Sequence, residues 1–207
     1  MSCTVVLNSK NRANPTENAN DAIYNFDWTA LDEGEYKVTW GFTKRTPIQY
    51  TDYLNFKTYT SYHSENPLFP NNAVLFSSGL SQNYINLTTG VNNTLPLGNT
   101  SVLWTGFFFT GENPTGSYSF FLSCDDGGYL WIGDTATQGY TVNNSFINNS
   151  GNHAVVEVGA TMTMTTNTFY PIRILYGDSG GDRNCLLTWT NPSSTTKISN
   201  GLGRFFH

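Results

Sequence analysis

Large apolar residues alternate with smaller or polar ones along much of this chain, a period of two that belongs to strands rather than helices. Segments 23–28 and 36–42 carry the pattern, the second placing Tyr36, Val38, Trp40 and Phe42 on one face. Asp32, Glu33 and Gly34 between them are turn-forming residues, so residues 1 to 45 read as a short strand near Val5, a polar loop and a hairpin-like pair. From 46 to 100 the pattern weakens. Pro47, Pro67, Pro70 and Pro96 interrupt it, leaving short strands around 74–76 and 84–87. Beyond residue 101 it strengthens: strands are predicted over 102–109, 117–123, 129–133, 154–158, 161–165, 169–176 and 185–190. Short strands joined by Gly, Asn and Pro turns, with no helical stripe, predict an all-β sandwich or barrel.

Composition narrows the function classes. Charged residues are 12% of the 207 and aromatic residues 15%. Asn and Thr account for 53 positions. That balance excludes a coiled coil, and the abundance of aromatic and β-branched residues argues against disorder. A formal net charge of −5, with ten Lys and Arg dispersed, offers no basic face for nucleic acid. Apolar runs such as 102–109 are too short for a membrane-spanning helix, so no membrane insertion is expected. The first eight residues lack the basic start and apolar stretch of a signal peptide, which fits a cytosolic product or a trimmed chain. Cys3, Cys124 and Cys185 are too few for a disulfide framework, and a single Cys124–Cys185 bridge stays open. No nucleophile–base pair, nucleophile elbow or phosphate loop is visible, so no enzyme is expected.

Two acidic segments are the candidate chemistry. One is Asp125-Asp126-Gly127-Gly128, between two strong strands. The other, residues 177–182, ends a later strand and contains Asp178, Gly180 and Asp182. Adjacent carboxylates repel unless a cation or water separates them. Calcium takes six to eight hard oxygens from flexible loops, and glycines let backbone carbonyls turn inward to help. Asp-Gly between strands is equally a hairpin turn that needs no ligand. Local sequence leaves both readings open.

The motifs at 104–108, 115–120 and 123–133 resemble the lectin-like domain named after anthrax protective antigen. The continuation at 169–178 is similar to its GLEYA branch, found in yeast flocculins and related adhesins. The resemblance covers about residues 60–207 and is densest over 101–190. It implies a two-sheet β-sandwich, here assigned to residues 46–207 and preceded by the short β-rich segment 1–45. It also implies that Asp125 and Asp126, joined by a cis peptide bond, ligate Ca2+, with the loop at 177–184 completing the site. Asp178, Gly180 and Asp182 then join the calcium and glycan site, with Asp125, Asp126 and Asp178 as the metal ligands. The family places Asn where this chain has Asp178, a departure that adds charge.

Segments 7–12, 23–28 and 34–40 resemble the start of virion proteins of large algal double-stranded DNA viruses. Two functional expectations follow. The first is a minor capsid protein in the virion, packed against other capsid proteins, with its sandwich as a packing or glycan- and calcium-binding module. The second is a calcium-dependent, carbohydrate-binding adhesin displayed outside a cell. Of the remaining residues, Trp131 is expected in the core and Arg173 on a solvated or paired outer face. Sequons at Asn86, Asn92, Asn99, Asn143 and Asn148 are at the level chance produces in so Asn- and Thr-rich a chain.

Overall fold

A computed structural model describes residues 22–31, 35–44, 50–63, 66, 72–81, 85, 86, 95 and 99–207. The chain divides into two compact units, residues 1–49 and 50–207. In the first, β1 (Ala22–Leu31) and β2 (Glu35–Lys44) form an antiparallel pair in continuous register, Ala22 opposite Lys44 and Leu31 opposite Glu35. The strand expected near Val5 and the sulfur of Cys3 lie outside the described residues.

The second unit is a sandwich of two antiparallel sheets. The larger contains β3 (Asn55–Thr60), β4 (Leu75–Leu80), β5 (Thr100–Phe109), β7 (Gly127–Ile132), β8 (Ile147–Asn149), β10 (Phe169–Asp178) and β13 (Phe205–Phe206). Its order is β4-β3-β5-β10-β7-β8. β13 lies alongside β5 beyond the end of β3, pairing Phe205 with Phe108. The smaller sheet contains β6 (Gly116–Asp125), β9 (Val156–Met164), β11 (Asn184–Asn191) and β12 (Ser194–Ile198), in the order β12-β11-β6-β9. The only α-helix among the described residues is a single turn, Asp134–Thr137. It is too short to cross a membrane.

Period-two alternation decides which side chains fill the sandwich. Val102, Trp104 and Phe108 of β5, with Ile172, Ile174 and Tyr176 of β10, face Tyr118, Phe120 and Leu122 of β6 and Leu187 and Trp189 of β11. All are buried. Phe108 is the hub: its ring meets Phe120, Trp189, Tyr118 and Phe205 edge-on, at 5.1 to 6.2 Å between centroids. Each such aromatic contributes roughly 1.5–3 kcal/mol of apolar burial.

Two sequence expectations change, and that for Trp131 holds. Segments 154–158 and 161–165 are not two strands but the single strand β9. Gly159, between the two segments, sits where a Cβ would come 2.7 Å from the Phe121 ring, so its bare backbone lets the aromatic lie across the sheet. Arg173 is not on a solvated face. It is 8% exposed, within a second apolar cluster behind the large sheet, where its guanidinium lies 3.8 Å from the Tyr140 ring centre. Burial lowers its pKa, and the neighbouring Tyr140 and Tyr59 oppose that shift. Trp131 is fully buried in that same cluster and donates its indole N–H to the Thr141 carbonyl at 2.9 Å.

Candidate functional site

The Asp125–Asp126 segment is not a hairpin turn. β6 ends at Asp125 in the small sheet and β7 begins at Gly127 in the large one, so the two aspartates carry the chain from one sheet to the other. The bond between them is cis. At the same end of the sandwich β10 finishes at Asp178, and β11 starts at Asn184, directly opposite Asp125. The loop at 179–183 therefore arrives beside the aspartate pair because two central strands stop there.

Asp126 is the organising residue. It is 3% exposed. Its Oδ1 accepts the backbone N–H of His153 at 3.1 Å and its Oδ2 accepts that of Ser179 at 2.6 Å. One carboxylate thus joins the sheet crossing to two separate loops. Asn152 and Ser179 also bond to each other through their side chains, closing the loops together. The Tyr176 hydroxyl donates to the Asp125 carbonyl. Burial pushes the pKa of that phenol far up, with the nearby Cys185, Asp178 and Cys124 adding to the shift, so it stays a donor.

Asp178 is fully buried. Its Oδ1 accepts the Gly180 N–H at 2.9 Å and its Oδ2 pairs with Arg183 Nε at 2.6 Å. Gly180 has φ 118°, a backbone region that L side chains rarely adopt, and this lets the loop fold back onto the Asp178 carboxylate. Asp182 is exposed on the same loop. Asp125 collects the consequence of the crowding. Desolvation raises its pKa, the charges of Asp126, Asp178 and Asp182 raise it further, and His153 opposes them.

The structure therefore gathers all five residues singled out from the sequence, in unequal roles. Asp126 and Asp178 are buried acceptors, Asp125 is a half-buried carboxylate under like-charge repulsion, Gly180 shapes the loop, and Asp182 adds charge from the rim. The sequence reading missed Arg183, which is signalled by being the one cation in an acidic loop. It also missed His153 and Ser179, which contribute backbone N–H groups and so leave no signature in residue type.

This donor set fits a hard cation in part. The mutual repulsion at Asp125 is the field a divalent ion relieves. Among the described residues no three His, Cys, Asp or Glu side chains are grouped to hold a metal on their own. A calcium ion here would draw Asp125 and Asp126 from the side chains and the rest of its oxygens from the backbone. Asp178 already has a cation against it.

Comparison with known proteins identifies the fold. The GLEYA domain model matches residues 100–191. Among solved structures, the chain resembles the A domain of epithelial adhesin 6 from Candida glabrata in complex with Galβ1-3GlcNAc. That match has a TM-score of 0.59 and 16% identity, and covers 77% of this chain and 88% of that one. It also resembles the PA14 domain of the MpAFP antifreeze protein, with a TM-score of 0.57 and 15% identity over 79% and 95% of the two chains. A PA14 sugar-binding domain from an RTX adhesin matches with a TM-score of 0.55 and 14% identity over 75% and 98%. No curated protein matches the chain. The fold is thus a lectin-like β-sandwich of the protective-antigen and GLEYA type. None of these matches is to a capsid protein, and the virion reading of residues 1–45 finds no support in them.

Proposed function

We propose that this chain is a carbohydrate-binding domain of an adhesin, acting outside the cell, with its glycan site at the Asp125–Asp126 crossing. The observation that carries the reading is the convergence at Asp126, whose one buried carboxylate fixes both the 150s loop and the 179–183 loop around the aspartate pair. Such a rim, rigid at its base and rich in oxygen, suits a calcium ion that takes sugar hydroxyls into its open positions. The chain's own residues supply the rest. Asp125 and Asp126 present the negative charge, Asp126 holds the loops, and the exposed Asn152 and Asp182 offer a donor and an acceptor to a sugar ring. Arg183 balances Asp178, leaving the cation to Asp125 and Asp126.

The test is a glycan array on the full chain with millimolar calcium, then with chelator, starting from galactose–N-acetylglucosamine disaccharides. Binding that chelator removes and that Asp126→Asn abolishes supports the proposal. Silence across the array with calcium present removes it.

A further inference from the structure

Cys124 and Cys185 stand directly opposite each other on β6 and β11. Residues facing each other on neighbouring antiparallel strands have Cα atoms about 4.5 or 5.5 Å apart, depending on the pair type. Both spacings fall within the roughly 4.4–6.8 Å that a cystine spans. The two sulfurs already approach to 4.0 Å in the buried interior. Closing to the bonded distance of about 2 Å needs a side-chain rotation rather than a backbone shift. Space around them is limited. A Cβ on Gly128 of the facing sheet would lie 2.4 Å from the Cys124 sulfur, so β7 presses bare backbone against this pair.

Their position gives the pair a consequence. Cys124 immediately precedes Asp125, and Cys185 immediately follows Asn184, the residue paired with Asp125. A covalent link here would join the strand that delivers the aspartate pair to the strand that leaves the 179–183 loop.

We propose that Cys124 and Cys185 form a cross-strand cystine in an oxidising compartment, and that it ties the base of the acidic site. The oxidant is a low-molecular-weight or protein disulfide. One cysteine thiolate attacks it, forming a mixed disulfide and expelling one thiol. The second cysteine thiolate then attacks the protein sulfur of that mixed disulfide and expels the other thiol. Two protein thiols become one cystine, one disulfide becomes two thiols, and the protein's two thiol protons end on the expelled thiols. Both sulfurs are enclosed in the folded unit, so exchange takes place while the sandwich is assembling or opened.

The inference is independent of glycan binding. Its test uses the full chain refolded with reduced and oxidised glutathione, and again with excess reductant, followed by denaturation and thiol titration. The cystine leaves one titratable thiol, that of Cys3, against three in the reduced form. Peptide mapping without reductant then shows 124 linked to 185. The oxidised form melts higher, by on the order of 10 °C. Three titratable thiols after oxidising refolding, or a bridge that includes Cys3, overturns the cystine. A 124–185 bridge that leaves the melting temperature unchanged overturns the tie.

Discussion

Strand β10 starts in an aromatic stack and ends among acidic side chains. Its ten residues span about 30 Å, so the two regions lie at opposite ends of the sandwich. At the start, Phe169 lies face to face with Tyr50 at 3.9 Å and with Phe109 at 4.3 Å, and Phe206 meets both phenylalanines edge-on. Tyr50 opens the sandwich unit and Phe206 nearly closes it. Backbone bonds from Thr51 to His207 and from Tyr53 to Phe205 zip the same ends together. At the other end, the charges of Asp126, Asp178 and Asp182 act on Asp125, and Arg183 pairs with Asp178. The first end gathers contacts that favour folding. The second gathers like charges that oppose it. Under the proposed function that repulsion is what a bound cation would relieve, so the two ends should respond differently to substitution.

The largest expected effect comes from the aromatic side of the comparison. Phe108→Ala removes the ring shared by Tyr118, Phe120, Trp189 and Phe205, and should lower unfolding free energy by about 3–5 kcal/mol in urea melts. Calcium or glycan affinity of the molecules that remain folded should not move. A change in affinity as large as that seen with Asp126→Asn would show that the two ends are one coupled unit.

The acidic end should respond less in stability. Asp178→Ala deletes the buried acceptor of Gly180 and the partner of Arg183. Loss of a buried partner is costly in general, but the Arg183 side chain is 27% exposed and water can reach it once its carboxylate is gone. A loss of about 1–3 kcal/mol is expected, together with faster amide exchange in 179–183, which is the readout specific to this loop. A loss as large as that of Phe108→Ala would mean that the pair is structural core and not part of a poised site.

Phe169→Leu tests the stack itself. It keeps an apolar side chain of similar reach but removes the two stacked ring contacts, and a cost of roughly 1–2 kcal/mol is expected on thermal melting. The effect should be additive with Asp178→Ala, because the two positions share no neighbours. A clear departure from additivity would place a communicating path along β10.

The contrast also explains what the sequence could reveal. The strands of the aromatic end were legible, but which ring of Phe107, Phe108 and Phe109, or of Phe120 and Phe121, faces the interior was not, because aromatic runs erase the alternation. The acidic residues were legible as a group, since Asp125, Asp126, Asp178 and Asp182 are rare charges in a chain poor in them. Their division of labour was not. Nothing in residue type separates Asp126, held by two backbone N–H groups, from Asp125, whose carboxylate is held by none among the described residues. That distinction depends on where the loops of His153 and Ser179 come to rest, which is set by strand ends far apart in sequence. The same holds for Arg173. Alternation rightly put it on the face opposite Ile172 and Ile174, but a strand's period cannot tell whether a second layer covers that face. Here residues 134–146 do, with Tyr140 above the guanidinium.

The smallest effect should come from an ion pair that belongs to neither end. Lys197 on β12 and Glu157 on β9 meet across the outer face of the small sheet, with side chains 43% and 42% exposed. The ammonium also sits 3.9 Å from the Phe121 ring centre. Glu157→Gln removes the charge attraction while leaving Lys197 over the ring. Exposed pairs of this kind contribute about 0–1 kcal/mol, and molar salt screens most of what there is. The variant and the parent should therefore melt within a degree or two of each other at high salt. This pair shares the opposite-charge contact of Asp178–Arg183, with an ammonium in place of the guanidinium, and is far more exposed. If Glu157→Gln proved as costly as Asp178→Ala, charge pairing alone would account for the acidic end. The expected gap between them would instead assign the difference to the enclosure of Asp178, which is what the loop at 179–183 is folded to provide.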